Sequence, residues 1–389
     1  METKNTNRLL SLDALRGFDM FWIIGWGAIW SGLAALTNWP LFNWWAFQLT
    51  HPDWHGFRFY DLIFPLFLFI AGISFPFSLE KSLQKGISQK AINIKIVKRA
   101  LMLVFLGFVS NGFLRLAFIK IGSDCEGGFL CFDFSAIRFA HVLGRIGLSW
   151  MFAAFIFMKI KKLSIRIAWC TGLLVFYWLL VALVPAFDNL GADRFSIEGN
   201  FVSYFDRMFL PGRFYRGEEL HDPEGILATI PAIVTALLGM FTGQFVKWRK
   251  EGLTENKRTV YMAVAGLVLM VLGLLWDFVF PINKNLWTSS FVCLTGGMSL
   301  LLFALFYFII DVKGYRKWTF FFSVIGMNSI TIYMAQMIIN FRFTTNYLFG
   351  GIISLFPETW TQFLNGVTLM TVCWLFLYFL YKQKIFLKV

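Results

Sequence analysis

Phe59-Tyr-Asp-Leu-Ile-Phe-Pro-Leu-Phe-Leu-Phe-Ile-Ala-Gly-Ile-Ser-Phe-Pro-Phe-Ser-Leu79 is the stretch that decides the fold. From Leu62 onward it is apolar almost without a break and shows no alternation of apolar with polar residues, which excludes a strand of a membrane β-barrel. At 1.5 Å per residue, a helix of about 20 residues crosses the roughly 30 Å hydrocarbon core of a bilayer. Similar stretches recur at 17–36, 99–120, 139–158, 167–186, 225–246, 260–280, 287–310, 319–340 and 362–381. The composition agrees, with 58% hydrophobic and 15% charged residues, against about 25% charged in an ordinary soluble domain. The expected fold class is all-α: a polytopic transmembrane helix bundle of about ten spans, forming one domain over residues 1–389. The first span carries Asp19 and no small-x-small cleavage site follows it, so it is expected to stay as a membrane helix.

The net charge of +13 is distributed in a way that tells its origin. Segments 1–16, 80–99, 159–166, 247–258, 311–318 and 382–389 carry 24 Lys and Arg, while the alternate segments carry nine. By the positive-inside rule the expected orientation is N-in and C-in. The basic excess therefore points to a lipid bilayer as partner and not to nucleic acid. The basic loops, with no eukaryotic targeting signal, suit a bacterial cytoplasmic membrane. Of the five Cys, Cys170, Cys293 and Cys373 lie in apolar runs, and only Cys125 and Cys131 share a polar loop, where a bridge is conceivable in an oxidising exterior. Within the long loop 187–224, Phe201–Leu210 reads as an amphipathic stretch lying along the membrane surface.

Charge inside a membrane is costly, so each such group needs a partner or a purpose. In the first span Asp13, Arg16 and Asp19 are three residues apart and can share one helix face. They form either a self-neutralised helix start or a place where Arg16 holds a phosphate. At the opposite membrane edge Thr50-His-Pro-Asp-Trp-His-Gly-Phe57 runs into Asp61. A histidine on a short Pro- and Gly-bounded loop beside a carboxylate can be held as a base or nucleophile. His51, His55, Asp53 and Asp61 match no familiar metal-ligand spacing, so no metal is expected. Arg145, well inside the fourth span, requires an anionic partner from protein or ligand. Asp222 and Glu224 precede a span and can cap it, the Asn283-Lys284-Asn285 turn can simply connect two spans, and Asn328, Ser329 and Tyr333 can bind helices to one another.

Ser11-Leu-Asp-Ala-Leu-Arg-Gly17, His51-Pro-Asp-Trp-His-Gly-Phe57 with Asp61-Leu-Ile-Phe-Pro65, Asp222-Pro-Glu-Gly-Ile-Leu227 and Asn283-Lys-Asn-Leu-Trp287, in this order, resemble the heparan-α-glucosaminide N-acetyltransferase family and its bacterial homologues. The resemblance implies transfer of an acetyl group from cytosolic acetyl-CoA to the amino group of a glucosamine on the far side of the membrane. It also implies that the family's key histidine is His51 and that a homodimer is to be expected. Asp61 would orient His51. Arg16, held by Asp13, and Arg145 would meet the CoA phosphates, with Lys284, Asn283 and Asn285 also on the co-substrate. Trp54, His55, Asp222 and Glu224 would face the acceptor. The sequence departs from the family pattern at His55, where Asn is common, and the family's asparagine before the histidine has only Asn38 or Asn43 as a counterpart. Two other functions stay open: a transporter or flippase of a sugar or anion, suggested by Pro65 and Pro76 breaking the second span, and a glycan O-acetyltransferase.

Overall fold

The computed structural model describes residues 9–113, 119–121, 130–132, 135, 137–188, 191, 193–217 and 220–387. Cys125 lies outside the described residues, as does the side chain of Cys131. The first span is α1 (Leu10–Phe21), a π-turn (Trp22–Trp26) and α2 (Gly27–Thr37). A short helix, α3 (Pro40–Gln48), follows, and then α4 (Ile63–Gln84), entered through a 3-10 turn at Phe59–Leu62. Next come α5 (Gln89–Phe108) with a π-turn at its end, a two-stranded antiparallel ribbon of β1 (Ile119–Ile121) and β2 (Leu130–Phe132), α6 (Val142–Lys159) and α7 (Leu163–Leu183). The chain continues through α8 (Phe201–Phe209), α9 (Thr229–Lys247), α10 (Glu255–Asp277) and α11 (Ser289–Tyr307). It closes with α12 (Thr319–Met327), α13 (Ser329–Ile338), α14 (Phe341–Ile353) and α15 (Thr361–Lys382).

Among the described residues, eight helices are long and apolar enough to cross a bilayer, or nine if the pair α12 and α13, bent by 65°, is one broken span. The expected tenth is α5, which falls short because Lys90, Lys95, Lys98 and Arg99 occupy its first half. It starts ten residues before the expected boundary, where Ser88 caps it by accepting the Ala91 N–H. Its lipid-side row, with Ile94, Leu101 and Phe105 more than half exposed, is that of a helix facing hydrocarbon. Pro76 sits inside an unbroken α4, so the proline break expected in the second span is absent. The Phe201–Leu210 stretch does form an amphipathic helix, α8.

Helices meet where side chains are smallest. A Cβ on Gly17 would fall 1.8 Å from the Phe322 carbonyl oxygen, and one on Gly326 would fall 2.1 Å from that of Asp13, so α1 and α12 touch backbone to backbone. Apolar solvent gives no hydrophobic drive to such a crossing, and close van der Waals packing supplies it instead. At one end, Lys247 donates to the Pro76 carbonyl, Arg166 to Gln244, and Tyr307 to Glu255. The other end carries the loop residues 49–58, 195–200, 220–226 and 281–288, where 49–58 hydrogen-bond to 195–200 and 281–288.

Candidate functional site

Asp61 is fully buried in the turn that leads into α4, and its two carboxylate oxygens are divided between two tasks. Oδ2 accepts the Arg58 N–H at 2.9 Å and so caps the turn. Oδ1 lies 2.6 Å from Nδ1 of His51. The Arg58 guanidinium reaches back over the same loop, donating to the His51 carbonyl at 2.7 Å and to the Thr50 hydroxyl, and it lies 4.0 Å above the Phe47 ring. Both ends of the loop are thereby fixed, and the His51 ring rests 5.0 Å from that of Tyr60. A carboxylate on Nδ1 holds that nitrogen protonated and leaves the lone pair on Nε2. The His51 side chain is 46% exposed.

The turn before α11 supplies the third group. Asn283 is buried and accepts the Leu286 N–H at 3.0 Å, and its amide lies 3.3 Å from Nδ1 of His55. Tyr177 donates to the Leu286 carbonyl at 2.5 Å, and Trp287 adopts a positive φ of 53°. This anchoring presents Lys284 to His51, with Nζ 3.0 Å from Nε2, 3.3 Å from Nδ1 and 3.6 Å from Asp61. Burial pushes the Lys284 ammonium below its ordinary range, against the pull of Asp61 and Glu224. Burial likewise lowers His55. His51, Asp61 and Lys284 thus stand together, an imidazole bonded to a buried carboxylate with an amine 3.0 Å from Nε2, an arrangement that can serve acid–base chemistry.

Several other expected site residues have different occupations. Arg138 grips Asp222 through two bonds of 2.8 and 2.6 Å and also pairs with Glu224. The helix following them begins at Thr229, so the two acids neither cap it nor stand free for an acceptor. Arg145 is 2% exposed, donates to the Gly225 carbonyl at 3.2 Å and lies 5.2 Å from the Trp287 ring. Its Nε and one Nη are buried without a hydrogen-bond partner among the described residues. Asn283 is similarly committed to its turn, and the Trp54 indole donates to the Phe195 carbonyl at 2.6 Å, fastening the loop. Asn285 shares that turn, partly exposed.

In the first span Arg16 reaches Asp13 at 3.5 Å and the Ser74 hydroxyl at 3.1 Å, but not Asp19. Both carboxylate oxygens of Asp19 are buried without a hydrogen-bond partner among the described residues. Sequence reading missed Arg58, Arg138 and Lys284 as partners of these motifs. Arg58 and Arg138 look like ordinary loop cations, and the Lys284–His51 contact spans 233 residues of chain. Among the described residues, no three His, Cys, Asp or Glu side chains converge as metal ligands would.

Fold and site together define a class: a polytopic helical membrane protein with an acid-oriented histidine at one mouth of its bundle. Comparison with known proteins bears out the resemblance carried by the motifs. The chain is similar to heparan-alpha-glucosaminide N-acetyltransferase of Mus musculus, 26% identical over 431 residues that cover 99% of this chain and 61% of the relative. It is 27% identical to the Homo sapiens protein of the same name, over 98% of this chain and 60% of the relative. The chain therefore spans about three fifths of the length of these relatives. Residues 8–115, which hold the His51–Asp61 pair, match the family described as Domain of unknown function (DUF5009).

Proposed function

We propose that this protein is a membrane acetyltransferase that moves an acetyl group from acetyl-CoA to the amino group of a glucosamine-type sugar, acting as one domain. The observation that carries the reading is His51, with Nδ1 on buried Asp61 and Nε2 within hydrogen-bond distance of Lys284. The charge asymmetry of the loops supports N-in and C-in, which puts the acceptor outside and the CoA nucleotide inside a bacterial cytoplasmic membrane. At the inner end Arg16, which donates to the Ser74 hydroxyl at 3.1 Å, is the candidate for the CoA phosphates. The similarity to N-acetyltransferases favours an amine acceptor over a hydroxyl.

Two routes use the same atoms. In the relay, Nε2 of His51 attacks the thioester carbon, the C–S bond breaks and CoA thiolate leaves; the acceptor amine then attacks the acetyl-imidazolium, the C–N bond to His51 breaks, and the freed Nε2 takes the proton the amine loses. In direct transfer the amine attacks the thioester carbon, CoA thiolate leaves, and Nε2 takes the amine proton. In both, an oxyanion forms within reach of Lys284.

The test is transfer of label from acetyl-CoA to glucosamine by purified protein in liposomes, with His51→Ala alongside. The expected result is product from wild type and a loss of about 10³-fold or more in the variant. Activity within a few fold of wild type in His51→Ala would remove this reading. Label trapped on His51 after brief exposure to acetyl-CoA alone selects the relay.

A further inference from the structure

A cavity of about 570 Å³ has Tyr60 among its lining residues, the residue whose ring rests 5.0 Å from that of His51. It falls within the range of about 300–1,000 Å³ that small-molecule sites occupy. Amide and backbone groups contribute to its walls. On one side the π-turn Trp22–Trp26, with Gly25 at φ 151°, opens the backbone of the first span. Gln336 crosses to donate to the Ile24 carbonyl at 3.1 Å. On the other side the chain leaves α13 in extended form at Ile339, so that Asn340 and Arg342 complete the rim. Trp22 also lines the cavity, and its indole N–H is buried without a hydrogen-bond partner among the described residues. Such a density of amide, carbonyl and N–H groups suits a polyhydroxylated ligand.

The surroundings of the rim say how that ligand arrives. Leu49, at the end of α3, and Phe341, at the start of α14, both line the cavity. Both helices turn large apolar side chains outward: Trp39, Trp44 and Phe47 are 52–60% exposed, and Phe343, Tyr347 and Leu348 are 56–82% exposed. Short helices rich in exposed aromatic residues belong at the level of lipid headgroups. Arg342 is exposed at the first turn of α14, where the helix dipole also favours an anion.

We propose that this cavity is the acceptor's pocket and that the acceptor is an amino sugar carried on a membrane lipid through a phosphate. The sugar lies against Gln336, the Trp22 indole and the backbone of the π-turn. The phosphate lies on Arg342, and the lipid tail leaves between α3 and α14. Tyr60 lines this pocket and its ring lies 5.0 Å from that of His51, so the pocket adjoins the histidine. The proposal rests on the acetyl-transfer reading for its chemistry and adds the acceptor class.

The test uses the full chain in phosphatidylcholine vesicles with two probes, free glucosamine and glucosamine joined by a phosphodiester to a short isoprenol. Binding of each labelled probe is measured first without acetyl-CoA, and transfer second. The expected result is a lipid-linked probe bound and acetylated with KM at least tenfold below that of free glucosamine. Arg342→Ala should raise KM for the lipid-linked probe about tenfold with kcat held, and Gln336→Leu should weaken binding of its sugar. Equal KM for both probes, or an advantage that survives both substitutions, overturns the proposal. Specific binding of the lipid-linked probe that is lost in the variants, without acetylation of either probe, supports the pocket and instead overturns the acetyl-transfer reading. Failure of the lipid-linked probe to bind overturns the pocket, whatever becomes of free glucosamine.

Discussion

His51 is held by contacts that can be removed one at a time. Asp61→Asn keeps the shape of the side chain and the cap on Arg58, but an amide can present its NH₂ to Nδ1 and stabilise the wrong tautomer. Transfer should then fall by about 10²–10⁴-fold in kcat while the melting temperature moves little, a pairing that steady-state kinetics and thermal unfolding together check. Lys284→Met removes the amine 3.0 Å from Nε2 while retaining the bulk of the stem. If Lys284 steadies the oxyanion, kcat drops by about 10²–10³-fold with KM for acetyl-CoA unchanged; a change in KM alone would instead make it a binding residue for CoA. The His51–Asp61 pair was legible because ten residues and one turn separate its members. Lys284 was not, since its meeting with His51 is made by tertiary packing of α4 against the turn before α11.

Helix α8 shows what an element can impose on a single acid. Its Asp206 accepts the Ile226 N–H at 2.8 Å and is otherwise enclosed, and burial pushes the carboxyl up to about 7 despite nearby Arg145 and Arg207. A folded value above the unfolded one means the native state holds more protons between about pH 4 and 7, so this group makes stability fall as pH rises through that window. Asp206→Asn preserves the acceptor and abolishes the ionisation. The variant should match wild type in thermal midpoint near pH 4 and exceed it progressively up to pH 7, with the gap constant above; an unchanged gap across the range would contradict the assignment. The long apolar spans were readable because length and hydropathy alone set them. The start of α5 was misplaced because its lysines and arginine look like a loop, and α14 was unreadable because a short aromatic helix resembles any outer connection. The π-turns leave no periodic trace, yet one of them lines the same cavity as Tyr60.

At the scale of the whole molecule the question is which end faces which compartment. The structure places the His51 loop and the turn 281–288 together at one end, and the connections 85–88 and 248–254 at the other. The proposed mechanism requires these ends to lie in different compartments, because CoA is polyanionic and made inside while the acceptor is reached from outside. In a background with the five native cysteines replaced by serine, Asp53→Cys and Glu251→Cys probe the two ends separately, and both wild-type side chains are exposed. A membrane-impermeant maleimide on intact cells should label Asp53→Cys alone, and Glu251→Cys only after permeabilisation. The reverse pattern would place His51 inside with acetyl-CoA. The proposed transfer would then have no membrane to work across, and the charge asymmetry of the loops would need another cause.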